Sequence, residues 1–235
     1  MIPKIIYQTW STQNLPKKLE GLHFKMKKKN LDYEHIVYTN EQMNDYMSSN
    51  ASSDIKKAYW KMNHIVAKAD IWRYTILYNN GGVYFDIDSE IVGSLNSLIN
   101  DEDEAIISPE TNKNLFIQWG LIYNKNHLIL EETLKYILRD INEEKNKFDH
   151  HSLTVGNYAK AIFNLSEKNN IDFYWKSPEH QEDKTYNSKN LKFRVVGNVY
   201  NKTFRFKHKY NHLLRNRPKG TEVETHWSRY KGPIY

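Results

Sequence analysis

A chain of 235 residues, 39% hydrophobic and 26% charged, has enough apolar material for one substantial α/β core, and no stretch reaches the roughly 20 apolar residues of a membrane span. The absence of cysteine excludes disulfides, thiolate zinc sites and a thiol nucleophile, and an opening without a basic segment and apolar run points to a soluble cytoplasmic protein. A net charge of +6 and a pI near 9.1 favour anionic partners: nucleic acid, an acidic membrane surface or phosphate-bearing small molecules.

Ile2 to Trp10 reads as an opening strand, broken by Ser11-Thr12-Gln13-Asn14. Leu15, Leu19, Leu22 and Met26 then recur at helical steps, with Lys17, Lys18, Lys25, Lys27, Lys28 and Lys29 around them. That lysine run reads first as a solvated face, with membrane or nucleic-acid contact as the alternative. His35 to Thr39 predicts a second strand, after which Asn40 caps a short helix over Glu41 to Met47 and Ser53 or Asp54 caps another.

The most informative stretch is Ala67 to Glu90, AKADIWRYTILYNNGGVYFDIDSE. Ile65, Ala69, Trp72 and Ile76 form an apolar stripe on an amphipathic helix, with Asp70 and Arg73 three apart on the neighbouring face. Asn79-Asn80-Gly81-Gly82 stops the helix with residues that tolerate positive φ. A strand over Val83 to Asp88 follows, with Val83, Phe85 and Ile87 on one side and Tyr84, Asp86 and Asp88 on the other. Its two carboxylates stand roughly 6 to 7 Å apart at their Cα atoms, a spacing that lets both reach one hard divalent cation. A surface strand end is the plainer alternative. For Asp70 and Arg73 the plainer alternative is an exposed helix pair contributing a few tenths of a kcal/mol.

Asp101-Glu102-Asp103 repeats the acidic triplet without a strand before it and is assigned to solvent. Ala105 to Ser108 and Phe116 to Tyr123 read as buried strands, Leu128 to Glu144 and Val155 to Leu165 as helices, and His150-His151 as a loop. Ile171 to Trp175 and Phe193 to Val196 predict short strands; Tyr200 to His212 is a basic, aromatic run. The tail from Glu222 to Tyr230 gathers carboxylates, His226, Trp227 and a hydroxyl, a mixture suited to a lid or to an ordinary polar terminus. No Ser-His-Asp order, phosphate-cradling loop or dinucleotide glycine fingerprint is present.

IPKIIYQTW together with ADIWRYTILYNNGGVYFDID resembles the family 32 glycosyltransferases, a group containing α-1,6-mannosyltransferases and capsule-forming enzymes; the central motif is also similar to that of the large clostridial glucosylating toxins. Thr154-Val155-Gly156 resembles that family's Thr-Gly-Pro segment, with Asn157 where proline is usual, and Tyr7 stands where histidine is usual. The resemblance implies a GT-A-type, Rossmann-like single domain with a mixed, mostly parallel sheet: residues 1–125 as the nucleotide-sugar-binding core and 126–235 as acceptor-side helices and a closing segment. It implies a retaining, metal-dependent transferase that moves a hexose or N-acetylhexosamine from a UDP- or GDP-sugar to a glycan or other hydroxyl acceptor. Carried over by position, Tyr7 and Trp10 would flank the nucleotide base, with Trp10 stacking on it, and Asp70 and Arg73 would hold the donor sugar. Asp86 would contact ribose and sugar, Asp88 with Asp86 would bind Mn²⁺ or Mg²⁺, and His226 and Trp227 would close over the diphosphate and complete the metal site. A catalytically inactive nucleotide-sugar-binding or glycan-binding module is one alternative. Another is a nucleic-acid binder built on the lysine helix and the run from Tyr200 to Arg217.

Overall fold

The first three strands of the computed structural model lie side by side and parallel, and each alternates its side chains between the two faces of the sheet. Strands β1 (Ile5–Thr9), β2 (Glu34–Tyr38) and β3 (Gly82–Phe85) send Tyr7 and Tyr84 into one core and Ile6, Val83 and Phe85 into the other. The structure describes residues 1–197, 204–206 and 232–235.

Helix α1 (Lys17–Lys29) covers one face of the sheet, burying Leu19, Leu22 and Met26. The other face carries α2 (Asn40–Asn50), α3 (Ser53–Lys61), α4 (Ile65–Asn80), α5 (Leu128–Asn142) and α6 (Asn157–Lys168), packed around Trp72, Tyr74, Tyr84, Tyr123 and Tyr158. Strands β5 (Ala105–Ile107), β6 (Gly120–Tyr123), β7 (Lys184–Asn187) and β8 (Lys192–Val195) extend the sheet to the order β2-β1-β3-β6-β5-β8-β7. Only β6 and β7 run against the other five, so the sheet is mixed and mostly parallel. A separate two-stranded ribbon pairs β4 (Ser89–Ile91) with β9 (Phe204–Phe206). Among the described residues no helix is long and apolar enough to cross a membrane.

Several expectations change on contact with tertiary structure. Helix α4 is not amphipathic: Ala69 through Leu77 are all buried, Asp70 and Arg73 included. The cap of α2 is Thr39, in a reciprocal capping box with Gln42, and not Asn40. Ile171 to Trp175 forms no strand. Its apolar side chains are satisfied by packing instead, Phe173 against Phe163, Phe116 and Phe193, while the Trp175 indole donates to the Leu115 carbonyl at 3.0 Å. The edge strand β7 has exposed residues at three of its four positions, which hides it from any periodicity argument.

Two turns hold the frame in place. Gly81 and Gly82 have φ of +68° and +106°, and a Cβ at Gly82 would stand 2.8 Å from the Ile5 carbonyl oxygen, so only glycine lets α4 reverse into β3 against β1. At the start of α5, His127 is buried with both ring nitrogens engaged: Nδ1 accepts from the Ile129 amide at 3.2 Å and Nε2–H donates to the Lys192 carbonyl at 3.0 Å. Burial pushes its pKa down to about 4. The unfolded chain therefore binds the proton first, and stability is full above the ordinary histidine pKa of about 6.5 and lost as pH falls from there toward 4. Urea titrations between those limits should show about 3 kcal/mol of acid destabilisation that His127→Asn removes, the asparagine retaining a cap acceptor.

Candidate active site

Five of the sheet's strands point their carboxyl ends at one edge, and the segments leaving β1, β3 and β5 meet there. That edge is where open α/β sheets present their ligand crevice. The expected strand over Val83 to Asp88 ends early: β3 stops at Phe85, and Asp86-Ile87-Asp88-Ser89 forms a tight turn closed by the Ser89 amide on the Asp86 carbonyl at 2.9 Å. The Asp86 amide donates to the Trp119 carbonyl at 2.9 Å, which fixes the turn against the segment entering β6.

Behind the turn lies a chain of buried charge. Arg73 Nη2 is 2.7 Å from Asp70 Oδ1 and 3.5 Å from Asp86 Oδ1, its Nη1 donates to the Gln118 carbonyl at 3.1 Å, and its guanidinium lies 4.5 Å from the centre of the Tyr84 ring. The Tyr84 hydroxyl donates to Asp86 Oδ1 at 2.6 Å. On the far side, His150 Nε2 is 2.8 Å from Asp70 Oδ2 and the Thr154 hydroxyl also reaches Asp70. Burial alone would raise the Asp70 pKa, yet the charges of Arg73 and His150 and the hydrogen bonds of His150 and Thr154 bring it down to about 2. The pair on α4 is thus a buried, shared anchor and not an exposed helix pair.

The two turn carboxylates behave differently. Asp86 and Asp88 are both pushed above the usual carboxylate range, chiefly by burial; Arg73 and Tyr84 oppose the shift at Asp86, while the charge of Asp86 adds to it at Asp88 and takes it to about 7. Asp88 is 7% exposed, and no cation among the described residues lies within ion-pair reach of it. Asp103 makes the contrast. The second acidic triplet is not all solvent, because Asp103 is buried and gripped by the Arg194 fork, Nε to Oδ1 at 2.9 Å and Nη2 to Oδ2 at 2.6 Å, while Asp101 and Glu102 stay exposed. One buried aspartate carries its own cation and the other is left wanting one.

That deficit fits a divalent ion: Mg²⁺ and Mn²⁺ bind through one or two carboxylates and take their remaining oxygens from water and phosphate. No group of three metal-ligating side chains occurs among the described residues. Buried donors without partners include the Ser89 hydroxyl in the turn, Arg73 Nε behind it and the side-chain amide of Gln118, whose backbone carbonyl meets Arg73. They are a set a polar ligand would satisfy.

Of the remaining expected site residues, Trp10 is brought to the turn: half-buried after β1, it packs on the cluster of Leu19, Leu22 and Ile87, the residue between the two aspartates. Tyr7 is not. It is 2% exposed, its ring tilts against Tyr38 at 6.3 Å, and its hydroxyl hydrogen-bonds Asn80 at the far end of α4, because its place on β1 faces the helical core. His226 and Trp227 lie outside the described residues. His150, expected in a loop, sits instead beside one π-helical turn, Ser152–Gly156, that carries it to Asp70, a contact across 80 positions that no local pattern signals. Tyr84 was legible, since strand alternation puts it on the side of Asp86.

Known proteins resemble this chain in sequence and in fold. Residues 16–105 match the family described as the glycosyltransferase sugar-binding region containing a DXD motif. Inositol phosphoceramide mannosyltransferase 3 of Schizosaccharomyces pombe is 33% identical over 99 residues, 42% of this chain and 28% of that protein. The initiation-specific alpha-1,6-mannosyltransferase of Candida albicans is 28% identical over 163 residues, 57% of this chain and 42% of that protein. The chain therefore spans well under half the length of these curated relatives. In fold it is similar to the PaToxG glycosyltransferase, with a TM-score of 0.58 at 19% identity over 70% of each chain.

Removing one partner of the buried chain should be costly. Asp70→Ala leaves the Arg73 guanidinium buried beside a void, and urea unfolding should show a loss of about 3–5 kcal/mol, against less than about 1 kcal/mol for exposed Asp101→Ala.

Proposed function

We propose that this chain is a glycosyltransferase of the DXD-containing type and moves a hexose or N-acetylhexosamine from a UDP- or GDP-sugar to a hydroxyl acceptor on a glycan or lipid headgroup, with retention and with a divalent ion. The observation that carries the reading is the Asp86-Ile87-Asp88 turn at the sheet's carboxyl edge, where the buried Asp88 carboxylate has no cation of its own among the described residues and a guanidinium is held behind Asp86. Asp88, with Asp86, would hold Mn²⁺ or Mg²⁺, and the bound ion would neutralise the donor diphosphate as it leaves. Outside the described residues, His226 and Trp227 belong to the same reading as a third ligand and a closing aromatic. The curated relatives named for transfer to inositol phosphoceramide and for α-1,6-mannosyl transfer support a mannosyl-type donor and a hydroxyl acceptor.

The residues of this chain divide the work. Trp10, beside Ile87, offers an indole face for the nucleotide base. Arg73 and Asp70 set the position and charge of Asp86, which accepts hydroxyls from ribose or sugar through its solvent-facing oxygen; its side chain is 30% exposed. With retention, the reaction follows a front-face course. The bond from the anomeric carbon to the diphosphate oxygen breaks, the acceptor oxygen bonds to the same face, and the acceptor proton passes to the departing phosphate oxygen. The same reading takes the chain as one catalytic domain working in the cytoplasm, where a sequence without cysteine folds without disulfides.

Asp88→Asn separates function from folding. The change relieves a buried carboxylate of its desolvation and of repulsion from Asp86, so the melting temperature should hold or rise, while Mn²⁺-dependent donor hydrolysis and transfer should fall by about a hundredfold or more. A panel of UDP- and GDP-sugars with and without Mn²⁺, read by thermal shift and by released nucleotide, identifies the donor. Turnover of Asp88→Asn within tenfold of the parent would sink the assignment. Donor binding without release in any condition would move the chain to the inactive binding-module reading.

A further inference from the structure

The chain's positive charge is concentrated in two stretches of its sequence. Helix α1 carries six lysines against one glutamate, a local surplus of five, and residues 200–231 carry nine Lys or Arg against two glutamates, while the remainder of the chain is net acidic. All six lysines are exposed, and among the described residues Lys17, Lys18, Lys27 and Lys28 have no carboxylate within ion-pair reach; Lys25 stands 3.7 Å from Glu90 and Lys29 reaches the Val92 carbonyl. The buried stripe of Leu19, Leu22 and Met26 fixes which side faces outward. Phe24 lies seven residues after Lys17 and four before Lys28, so those three share the outward face, opposite the stripe. Phe24 is 65% exposed there, and Leu31, just past the helix end, is 82% exposed. A bulky apolar side chain held out to water between lysines is the arrangement of a helix lying in a membrane interface, where the ring enters the acyl boundary and the ammonium groups meet anionic headgroups.

We propose that the outward face of α1 docks this protein on an anionic bilayer, with Phe24 and Leu31 as apolar anchors and Lys17, Lys27 and Lys28 as the headgroup contacts. The surface chemistry separates a bilayer from a nucleic acid. Every cation of the helix is lysine, a point charge without the planar fork that reads phosphate bidentately, and Phe24 is the helix's one Phe, Tyr or Trp, where stacking successive bases takes several. The same helix supports the candidate site from behind, since Leu19 and Leu22 pack with Trp10 and Ile87. Docking through α1 therefore holds the Asp86–Asp88 turn near the bilayer surface. The proposal goes beyond the transferase reading and stands without it, because vesicle binding needs no donor.

Cosedimentation of the full chain tests it, with pure phosphatidylcholine vesicles and with vesicles in which about a third of the lipid is phosphatidylserine. Binding should appear only with the anionic vesicles and weaken steeply as salt rises from about 0.1 to 0.5 M. Lys17→Ser/Lys28→Ser should lower the partition coefficient about 25-fold, roughly fivefold per lysine, and Phe24→Ser about tenfold. Donor hydrolysis in solution should be the same in all three proteins, so a failed vesicle test leaves the transferase reading intact and a failed donor test leaves this one intact. Equal binding to both vesicle types, no binding to either, unchanged binding by the lysine variant, or tighter lysine-dependent binding to a single-stranded RNA would each overturn the proposal.

Discussion

The buried pair of Asp70 and Arg73 is the constraint on which the site rests. Two charges taken from water are tolerated only when they are paired and most of their remaining polar atoms find company. Here that company comes from three separate segments: Tyr84 and Asp86 at the end of β3, the Gln118 carbonyl before β6, and His150 with Thr154 at the turn into α6. Satisfying one ion pair thus pins three chain segments to one helix. The polar cluster inside the core is also what forces α4 to be buried on all sides, since a helix carrying such a pair into the interior needs protein around it in every direction.

The turn in front of that pair is built to remain under electrostatic tension. Asp103 and Asp88 are both buried aspartates in short acidic triplets, and they differ in their neighbours. Arg194 completes Asp103 within the chain, making it structural. Asp88 has burial and a second carboxylate as its surroundings, so its charge is costly in the protein alone. A fold that holds an unfavourable charge in place sets stability against function, the ordinary signature of a binding centre whose missing partner is a ligand.

Sequence reasoning reached the motif and stopped short of its surroundings. Alternation along Val83 to Phe85 and the Gly81-Gly82 stop were legible because they are local: one depends on the two-residue strand period, the other on a backbone angle that glycine alone adopts without strain. The end of β3 at Phe85 was not legible, since the turn at Asp86 is made by a hydrogen bond to Trp119 from another segment. His150 lay beyond reach for the same reason, 80 positions from the carboxylate it holds.

What the chain's residues determined by themselves was the order of the main strands and helices from β1 to α6, β4 apart, the stopping of α4, the identity of the acidic motif and the side of the strand on which Tyr84 and Asp86 fall. These follow from periods of 2 and 3.6 and from the chemistry of single residues. Which buried acid keeps a cation and which lacks one was decided only in three dimensions, as was the burial of α4, because both depend on what packs from elsewhere in the chain. Solvent exposure of Phe24 among lysines belongs to the same class: the helical period places it opposite Leu19, Leu22 and Met26, but only the packed structure leaves that face uncovered.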